Sequence, residues 1–189
     1  MRLRVFVDET QLGDRGLLTV GDVLESDLRG FPVGYLAFPI PRGTKVLRRT
    51  GVFEYLFGGE IRQVRSETIP DHPGHVWQQV LLDCGLPMTI HHIGWGPLPL
   101  RGDLDAPKEV TSTSVGAYIG GVVVLMADIS FFSPRRLAPG VDAKVIGVEV
   151  MRVKEGAVIE AESVRSIDFL SPDGKGALGA ILEIDVERV

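Results

Sequence analysis

The sequence lacks the marks of a secreted, a zinc-binding or a membrane-spanning protein. Its single cysteine, Cys84, excludes an intramolecular disulfide and a cysteine-rich zinc site. Residues 1–7 are too short and too rich in arginine to predict a secretion signal. The most apolar segment, residues 115–127, ends at Asp128 and is shorter than the roughly 20 residues that cross a bilayer. We therefore expect a cytoplasmic protein that does not enter a membrane.

The sequence also lacks a large excess of charge of either sign. The 189 residues carry 20 basic and 25 acidic side chains, a net charge of −5, and no basic block occurs. Binding to a phosphate backbone needs clustered Lys and Arg, so nucleic acid is not an expected partner. What the sequence does have is 44% hydrophobic residues, enough for a globular domain with a core.

One segment, residues 70–85, has the spacing of an amphipathic helix. Apolar side chains recur there at i, i+3, i+4 and i+7, in the order Trp77, Val80, Leu81 and Cys84. Pro73 suits the first turn of a helix, and Gly85 suits the position after its end. Asp83 would lie at the flank of the apolar stripe. The pattern predicts one central helix.

Elsewhere the sequence predicts strands. Residues 45–49 and 52–57 look extended, Gly58-Gly59 is a candidate hairpin turn, and residues 60–68 would be the return strand. Residues 141–153 alternate, and the alternation shifts phase near Ile146-Gly147, which predicts a β-bulge. Together with the alternating residues 159–169 and 178–186, this strand predicts an antiparallel meander with one buried face.

Two stretches resemble the β-hydroxyacyl-ACP dehydratases. Residues 132–140, Phe-Ser-Pro-Arg-Arg-Leu-Ala-Pro-Gly, followed by Asp173-Gly174-Lys175 and a last strand, are similar to that family's F-x-R-P-V-x-P-G-D pattern and its later D-G-K turn. Residues 71–75, Asp-His-Pro-Gly-His, resemble the H-F-P-G loop that opens the family's central helix. The resemblance implies an α+β hotdog-like fold, an antiparallel sheet wrapped around one helix. Residues 1–44 would be an N-terminal β-rich extension, and residues 45–189 would form the core.

The resemblance further implies an enzyme that acts on acyl thioesters of CoA or a carrier protein, as a dehydratase, hydratase or thioesterase. His72 or His75 would share acid–base work with Asp83, and helix amides near Gly74 would polarise the thioester carbonyl. A homodimer or higher oligomer is expected, with an acyl tunnel at the subunit interface. No cofactor is expected beyond CoA or phosphopantetheine as the carrier of the substrate.

Three more residues are candidate substrate contacts. Trp95 lies between glycines, where it could line a pocket. Arg135 and Arg136 could meet a pantetheine or nucleotide phosphate at the mouth of that pocket, although a solvated turn is the alternative explanation.

The sequence leaves two other functions open. His72, His75, His91 and His92 are imidazoles that could ligate Zn or Fe. However, no H-x-H or H-E-x-x-H spacing occurs, and neighbouring histidines on a strand point to opposite faces. The other alternative is a non-catalytic β-rich module for ligand binding or assembly.

Overall fold

The computed structural model describes most of the chain, namely residues 1–33, 37–94, 98, 113–129, 137, 140–154, 158–170 and 177–187. Three predicted substrate contacts, Trp95, Arg135 and Arg136, lie outside the described residues. So does most of the 132–140 motif.

Strands dominate the described residues. They are β1 (Arg2–Asp8), β2 (Leu17–Thr19), β3 (Val23–Pro32), β4 (Phe38–Pro39), β5 (Val46–Arg49), β6 (Glu54–Thr68), β7 (Val76–Asp83), β8 (Pro87–Gly94), β9 (Tyr118–Asp128), β10 (Val141–Lys154), β11 (Val158–Val164), β12 (Ser166–Asp168) and β13 (Ala177–Val186). The described part of the chain has one α-helix, α1 (Glu9–Arg15). The Asp8 carboxylate caps it by accepting a hydrogen bond from the Gln11 amide at 3.0 Å.

The predicted hotdog-like fold is wrong. Of the described residues, 68% lie in strands and only 5% in helix, and α1 has seven residues, too few to be a central helix around which a sheet could wrap. Eleven of the described strands belong to one mixed sheet, and β2 pairs with β12 in a separate two-stranded sheet. The predicted central helix, residues 70–85, is instead a turn, the strand β7 and a bend.

β7 is a strand because pairing partners on both sides outweigh its helical spacing. It pairs antiparallel with β6, from the pair of Thr68 with Val76 to the pair of Glu60 with Asp83. It also pairs antiparallel with β8 along its whole length. Its alternate residues Val80 and Leu82 are fully buried. The same face carries Gln78, whose buried amide is satisfied: its oxygen accepts from the Leu98 N–H at 2.8 Å and its nitrogen donates to the Ser66 hydroxyl at 3.1 Å.

The predicted turn at Gly58-Gly59 is also wrong. β6 runs straight through both glycines, and the chain reverses at residues 50–53 instead, where β5 pairs with β6. Gly59 is required for close packing, because a Cβ there would lie 2.5 Å from the Asp83 carbonyl oxygen. Two adjacent glycines therefore mark a close approach here, not a reversal.

Several strand predictions are confirmed. β10 carries the predicted bulge, with a register shift between Val145 and Gly147. β10 pairs antiparallel with both β11 and β13. The order in the sheet is therefore β11, β10, β13, whereas a simple meander would place β11 between β10 and β13. β8 is a strand, and its neighbouring residues His91 and His92 therefore point to opposite faces.

The chain divides into two compact units. The first comprises Met1–Asp27 and Met126–Arg188, and the second comprises Leu28–Leu125. Each has its own buried apolar side chains. In the first unit they include Val5, Val7, Val150 and Leu182; in the second they include Ile61, Leu82, Met88 and Ile90. Within the described residues, no helix is long and apolar enough to cross a membrane.

Candidate functional site

His72 and His75 lie in the turn that joins β6 to β7. The His75 amide donates to the His72 carbonyl at 3.0 Å, across Pro73 and Gly74. Proline at the second position and a glycine with φ of 87° at the third are the signature of a type II turn. The two imidazole rings meet edge to face with centroids 5.7 Å apart. The Pro-Gly pair that suggested a helix start is therefore a turn, and Gly74 is one of its central residues.

Asp83 does not come near these histidines. It is the last residue of β7, whereas the His72–His75 turn precedes the first, Val76. At about 3.3 Å per residue, the length of the strand separates Val76 from Asp83 by about 23 Å. The predicted acid–base groups therefore occupy opposite ends of one strand.

The Asp83 carboxylate is held by cations instead. Its Oδ2 accepts from the Lys45 ammonium at 2.7 Å and from the Arg62 guanidinium at 3.0 Å, and its Oδ1 accepts from the Gly85 amide at 3.1 Å. The hydrogen bonds from Lys45 and Arg62, with the Gly85 amide, lower the pKa of Asp83 to about 2. A carboxylate this acidic is a poor proton acceptor near neutral pH.

These groups form one wall of a shallow groove, here called the Asp83 groove. It has a volume of about 310 Å³ and is lined by Lys45, Arg62, Leu81, Asp83, Leu86 and Pro87. Arg62 also pairs with Glu60 at 3.2 Å, and the Tyr118 hydroxyl donates to Glu60 at 3.0 Å. Two cations thus meet two carboxylates, which leaves no net charge to attract an ionic ligand.

Cys84 follows Asp83 and is 4% exposed. Burial raises the pKa of its thiol to about 12. Because the thiolate is the nucleophile, this cysteine is not a candidate for nucleophilic catalysis.

His91 is enclosed by aromatic rings. Its ring stacks on Phe31 with centroids 5.4 Å apart, and Trp77 lies 6.0 Å away at a tilt. His92 points to the other face of β8. Within the described residues, no group of three or more His, Cys, Asp or Glu side chains is placed to hold a metal ion. The predicted four-histidine set is therefore not gathered into one site, since the other two histidines lie in the β6–β7 turn.

A second groove, here called the Gly147 groove, lies in the first unit. It also has a volume of about 310 Å³, and its lining includes Arg4, Gly147, Glu149, Arg165, Ile181 and Glu183. Pairing places these residues on one face of neighbouring strands, because side chains directly opposite in an antiparallel pair share a face. The pairs are Arg4 with Glu183, Glu183 with Gly147, Ile181 with Glu149 and Glu149 with Ser163.

Gly147 lies in the floor of the groove, and the Glu183 side chain covers part of it: a Cβ at Gly147 would lie 3.3 Å from the Glu183 Cβ and 3.4 Å from its Oε2. The bulge next to Gly147 leaves Ile146 without a partner in the β10–β13 register, and Ile146 also lines the groove. Ile181, 5% exposed, is an apolar lining residue. Bulges are frequent beside binding sites because they interrupt regular pairing and redirect side chains.

Charges around the Gly147 groove are only partly paired. Arg4 forms a salt bridge with Glu149, and both side chains are half-buried. Arg165 and Glu183 are exposed and have no ion pair or side-chain hydrogen bond within the described residues. The groove therefore presents one available cation and one available carboxylate.

Sequence reasoning found the bulge but missed this groove. The phase shift at Ile146-Gly147 was a local signal, and it predicted the irregularity correctly. The lining residues outside β10 come from β1, the turn after β2, the end of β11 with the residue that follows it, and β13, and no local pattern brings them together. A glycine at a predicted bulge was the only signal that could have pointed to the site.

No protein-family model, no curated protein and no solved structure matches this chain. The fold defines the protein as a mostly β protein with a mixed sheet.

Proposed function

We propose that this chain is a non-catalytic ligand-binding protein and that its binding site is the Gly147 groove. The observation that carries the proposal is the combination of a hollow, an apolar lining residue and unpaired charges on one sheet face. Binding sites are typically concave, largely apolar and equipped with a few polar groups that orient the ligand. The Asp83 groove has a similar volume, but its charged groups already satisfy one another.

Filling the hollow tests this proposal. Gly147→Leu adds a side chain to the groove lining beside Glu183, and Gly147 needs no positive φ, so the backbone can accept it. Gly13→Leu is the matched control, since a Cβ at Gly13 meets no atom within 4 Å. In a thermal-shift screen of small polar and amphipathic molecules, we expect compounds that raise the Tm of the wild type and of Gly13→Leu but not of Gly147→Leu. Hits that also stabilise Gly147→Leu, or the absence of any hit, would count against the groove.

The acyl-thioester activity stays a prediction from the family resemblance. It was tied to a hotdog fold, which this chain does not have, and to a histidine and a carboxylate that lie at opposite ends of β7. The expected homo-oligomer likewise stays a prediction.

An assay separates the enzyme from the binding protein. Hydrolysis of acyl-CoA and hydration of enoyl-CoA are measured with the wild type, His72→Ala and Asp83→Asn. A binding protein gives no turnover above buffer with any of them. Turnover that the wild type performs and both folded variants lose would re-establish the enzyme.

A further inference from the structure

We infer that the turn between β6 and β7 binds a divalent copper, nickel or zinc ion, with His72 and His75 as its two protein ligands. The inference is independent of the proposed function, because these histidines belong to the second compact unit and the Gly147 groove belongs to the first. It follows from two imidazole rings that lie together in a turn held by several hydrogen bonds.

The backbone fixes the two histidines next to each other. They occupy the first and last positions of the type II turn, in which Pro73 restricts φ and Gly74 has a φ of 87°. Two more hydrogen bonds hold the turn: the His72 amide donates to the Ile69 carbonyl at 3.1 Å, and the Ile69 amide donates to the His75 carbonyl at 3.2 Å. The backbone of both ligands is therefore ordered before an ion arrives, which lowers the entropy cost of binding.

The distance between the two rings suits chelation of one ion. Two imidazoles that bind the same tetrahedral ion, each through a metal–nitrogen bond of about 2 Å, have ring centroids roughly 5 Å apart. The centroids of His72 and His75 are 5.7 Å apart, and the rings are inclined to each other by 69°. Rotation about χ2, which is a broad torsion in histidine, can close this small difference. The pair is therefore held near the geometry that chelation requires.

The other imidazoles and the thiol of the chain do not compete for this ion. His91 and His92 point to opposite faces of β8, so they cannot share an ion with each other. Cys84 is buried. In contrast, His72 is exposed and His75 is half-buried, so an ion can reach the turn from solvent.

The ligand type and number define which ions bind and how tightly. Imidazole nitrogen is a ligand for Cu²⁺, Ni²⁺ and Zn²⁺, whereas Mg²⁺ and Ca²⁺ prefer oxygen. The affinity of a nitrogen site for divalent ions is greatest for copper, so Cu²⁺ should bind most tightly. Structural zinc sites use four protein ligands. With two, water fills the remaining positions, and we expect reversible binding of Zn²⁺ in the micromolar range.

Calorimetry and NMR of the full chain, without an affinity tag, test the site. Zn²⁺ is titrated into the protein in the calorimeter, and a substoichiometric amount of Cu²⁺ is added to an isotope-labelled sample. We expect the paramagnetic Cu²⁺ to broaden the signals of residues 71–76 before all others, because the broadening falls steeply with distance from the ion. Mg²⁺ at the same concentration is the control and should give neither binding heat nor spectral change.

Two variants separate a metal ligand from a packed ring. His72→Phe and His75→Phe keep an aromatic ring in the edge-to-face pair but remove its metal-binding nitrogens. We expect each variant to bind Zn²⁺ at least tenfold more weakly than the wild type, with a metal-free Tm close to that of the wild type. His92→Phe is the matched control, since it makes the same substitution on β8, and it should bind like the wild type.

Several results would overturn the inference. They are a wild type that binds neither Zn²⁺ nor Cu²⁺, Cu²⁺ broadening that starts outside residues 71–76, and a turn variant that binds Zn²⁺ as tightly as the wild type. Equal weakening in His92→Phe would also contradict it, because the ion would then have other ligands. If a turn variant does not fold, the position of the Cu²⁺ broadening in the wild type decides alone. None of these results bears on the Gly147 groove, which the library screen with Gly147→Leu tests separately.

Discussion

Two grooves of the same volume differ in how their charged side chains are used. In the Asp83 groove, Lys45 and Arg62 are both engaged with Asp83, and Arg62 also with Glu60. In the Gly147 groove, Arg165 and Glu183 have no such partners among the described residues. The first arrangement connects the residue before β5 to the middle of β6 and the end of β7, and these contacts stabilise the local structure. The second leaves charge available to a ligand. Volume alone therefore does not identify a binding site.

The largest expected effect concerns the glycines of the two regions. Gly59→Ala should destabilise the protein by about 3 kcal/mol, because its Cβ would lie 2.5 Å from the Asp83 carbonyl oxygen and 2.8 Å from the carbonyl carbon, and backbone cannot easily give way. Gly147→Ala should change the free energy of unfolding by less than about 1 kcal/mol, since its nearest neighbour is the Glu183 Cβ at 3.3 Å. Urea denaturation measures both. Equal losses would contradict the contrast between Gly59, which faces backbone atoms, and Gly147, which faces a side chain.

Thiol labelling compares the accessibility of the two regions. Cys84 should react with a thiol reagent at pH 8 only when the protein opens, because it is buried and its pKa is raised to about 12. In the variant Ser163→Cys, the new thiol lies in the Gly147 groove and should react at least about 100-fold faster. Rapid labelling of both thiols would show that the segment around Cys84 is not closed. Denatured protein, in which both thiols react quickly, serves as the control.

Removing the Asp83 charge should have a moderate effect. Asp83→Asn should lower the free energy of unfolding by about 1 kcal/mol at pH 7; the shift in pKa corresponds to more, but Lys45 and Arg62 are about half exposed and solvent screens them. Because the pKa in the folded protein is lowered to about 2, the stabilisation is fully present above the unfolded pKa of about 4 and is lost as the pH falls towards 2. Urea titrations at pH 7 and pH 2 should therefore show a difference between variant and wild type only at pH 7. A difference that persists at pH 2 would mean that the Asn side chain itself perturbs the fold.

The smallest expected effect is that of Glu183. Glu183→Gln should change the free energy of unfolding by less than about 0.5 kcal/mol, because this exposed side chain has no ion pair in the described part of the chain. The same urea titration at pH 7 checks it against Asp83→Asn. A loss as large as that of Asp83→Asn would mean that Glu183 stabilises the fold and is not held ready for a ligand.

Local patterns predicted the strands of the last third well. The alternation in β10 and β13 is strict enough to define a buried and an exposed face, and the phase shift at Ile146-Gly147 correctly located the bulge. A bulge is a local insertion, so its sign is present in one strand alone. The same local reading gave neither the order of the strands nor the neighbours of the bulge.

The wrong prediction of a central helix came from residues 70–85, where a helical and a strand periodicity overlap. Trp77, Val80 and Leu81 fit a helical stripe, but Val80 and Leu82 equally fit the buried face of a strand. Pro73 and Gly74 likewise fit both a helix start and a type II turn. The resemblance to a family with a central helix depended on this wrong choice. Residues 76–83 form a strand because they pair with β6 on one side and with β8 on the other.

The sequence by itself determined that this is a protein with a strand-rich last third, a bulge at Gly147, no disulfide and no excess of basic charge. These properties follow from residue counts and from alternation within single segments. Only the tertiary structure decided that residues 76–83 form a strand, that Asp83 is bound by Lys45 and Arg62, and that Arg165 and Glu183 flank the same glycine. The physical reason is that strand pairing and ion pairing join residues far apart in the chain, and their energies outweigh the local preferences that a sequence displays.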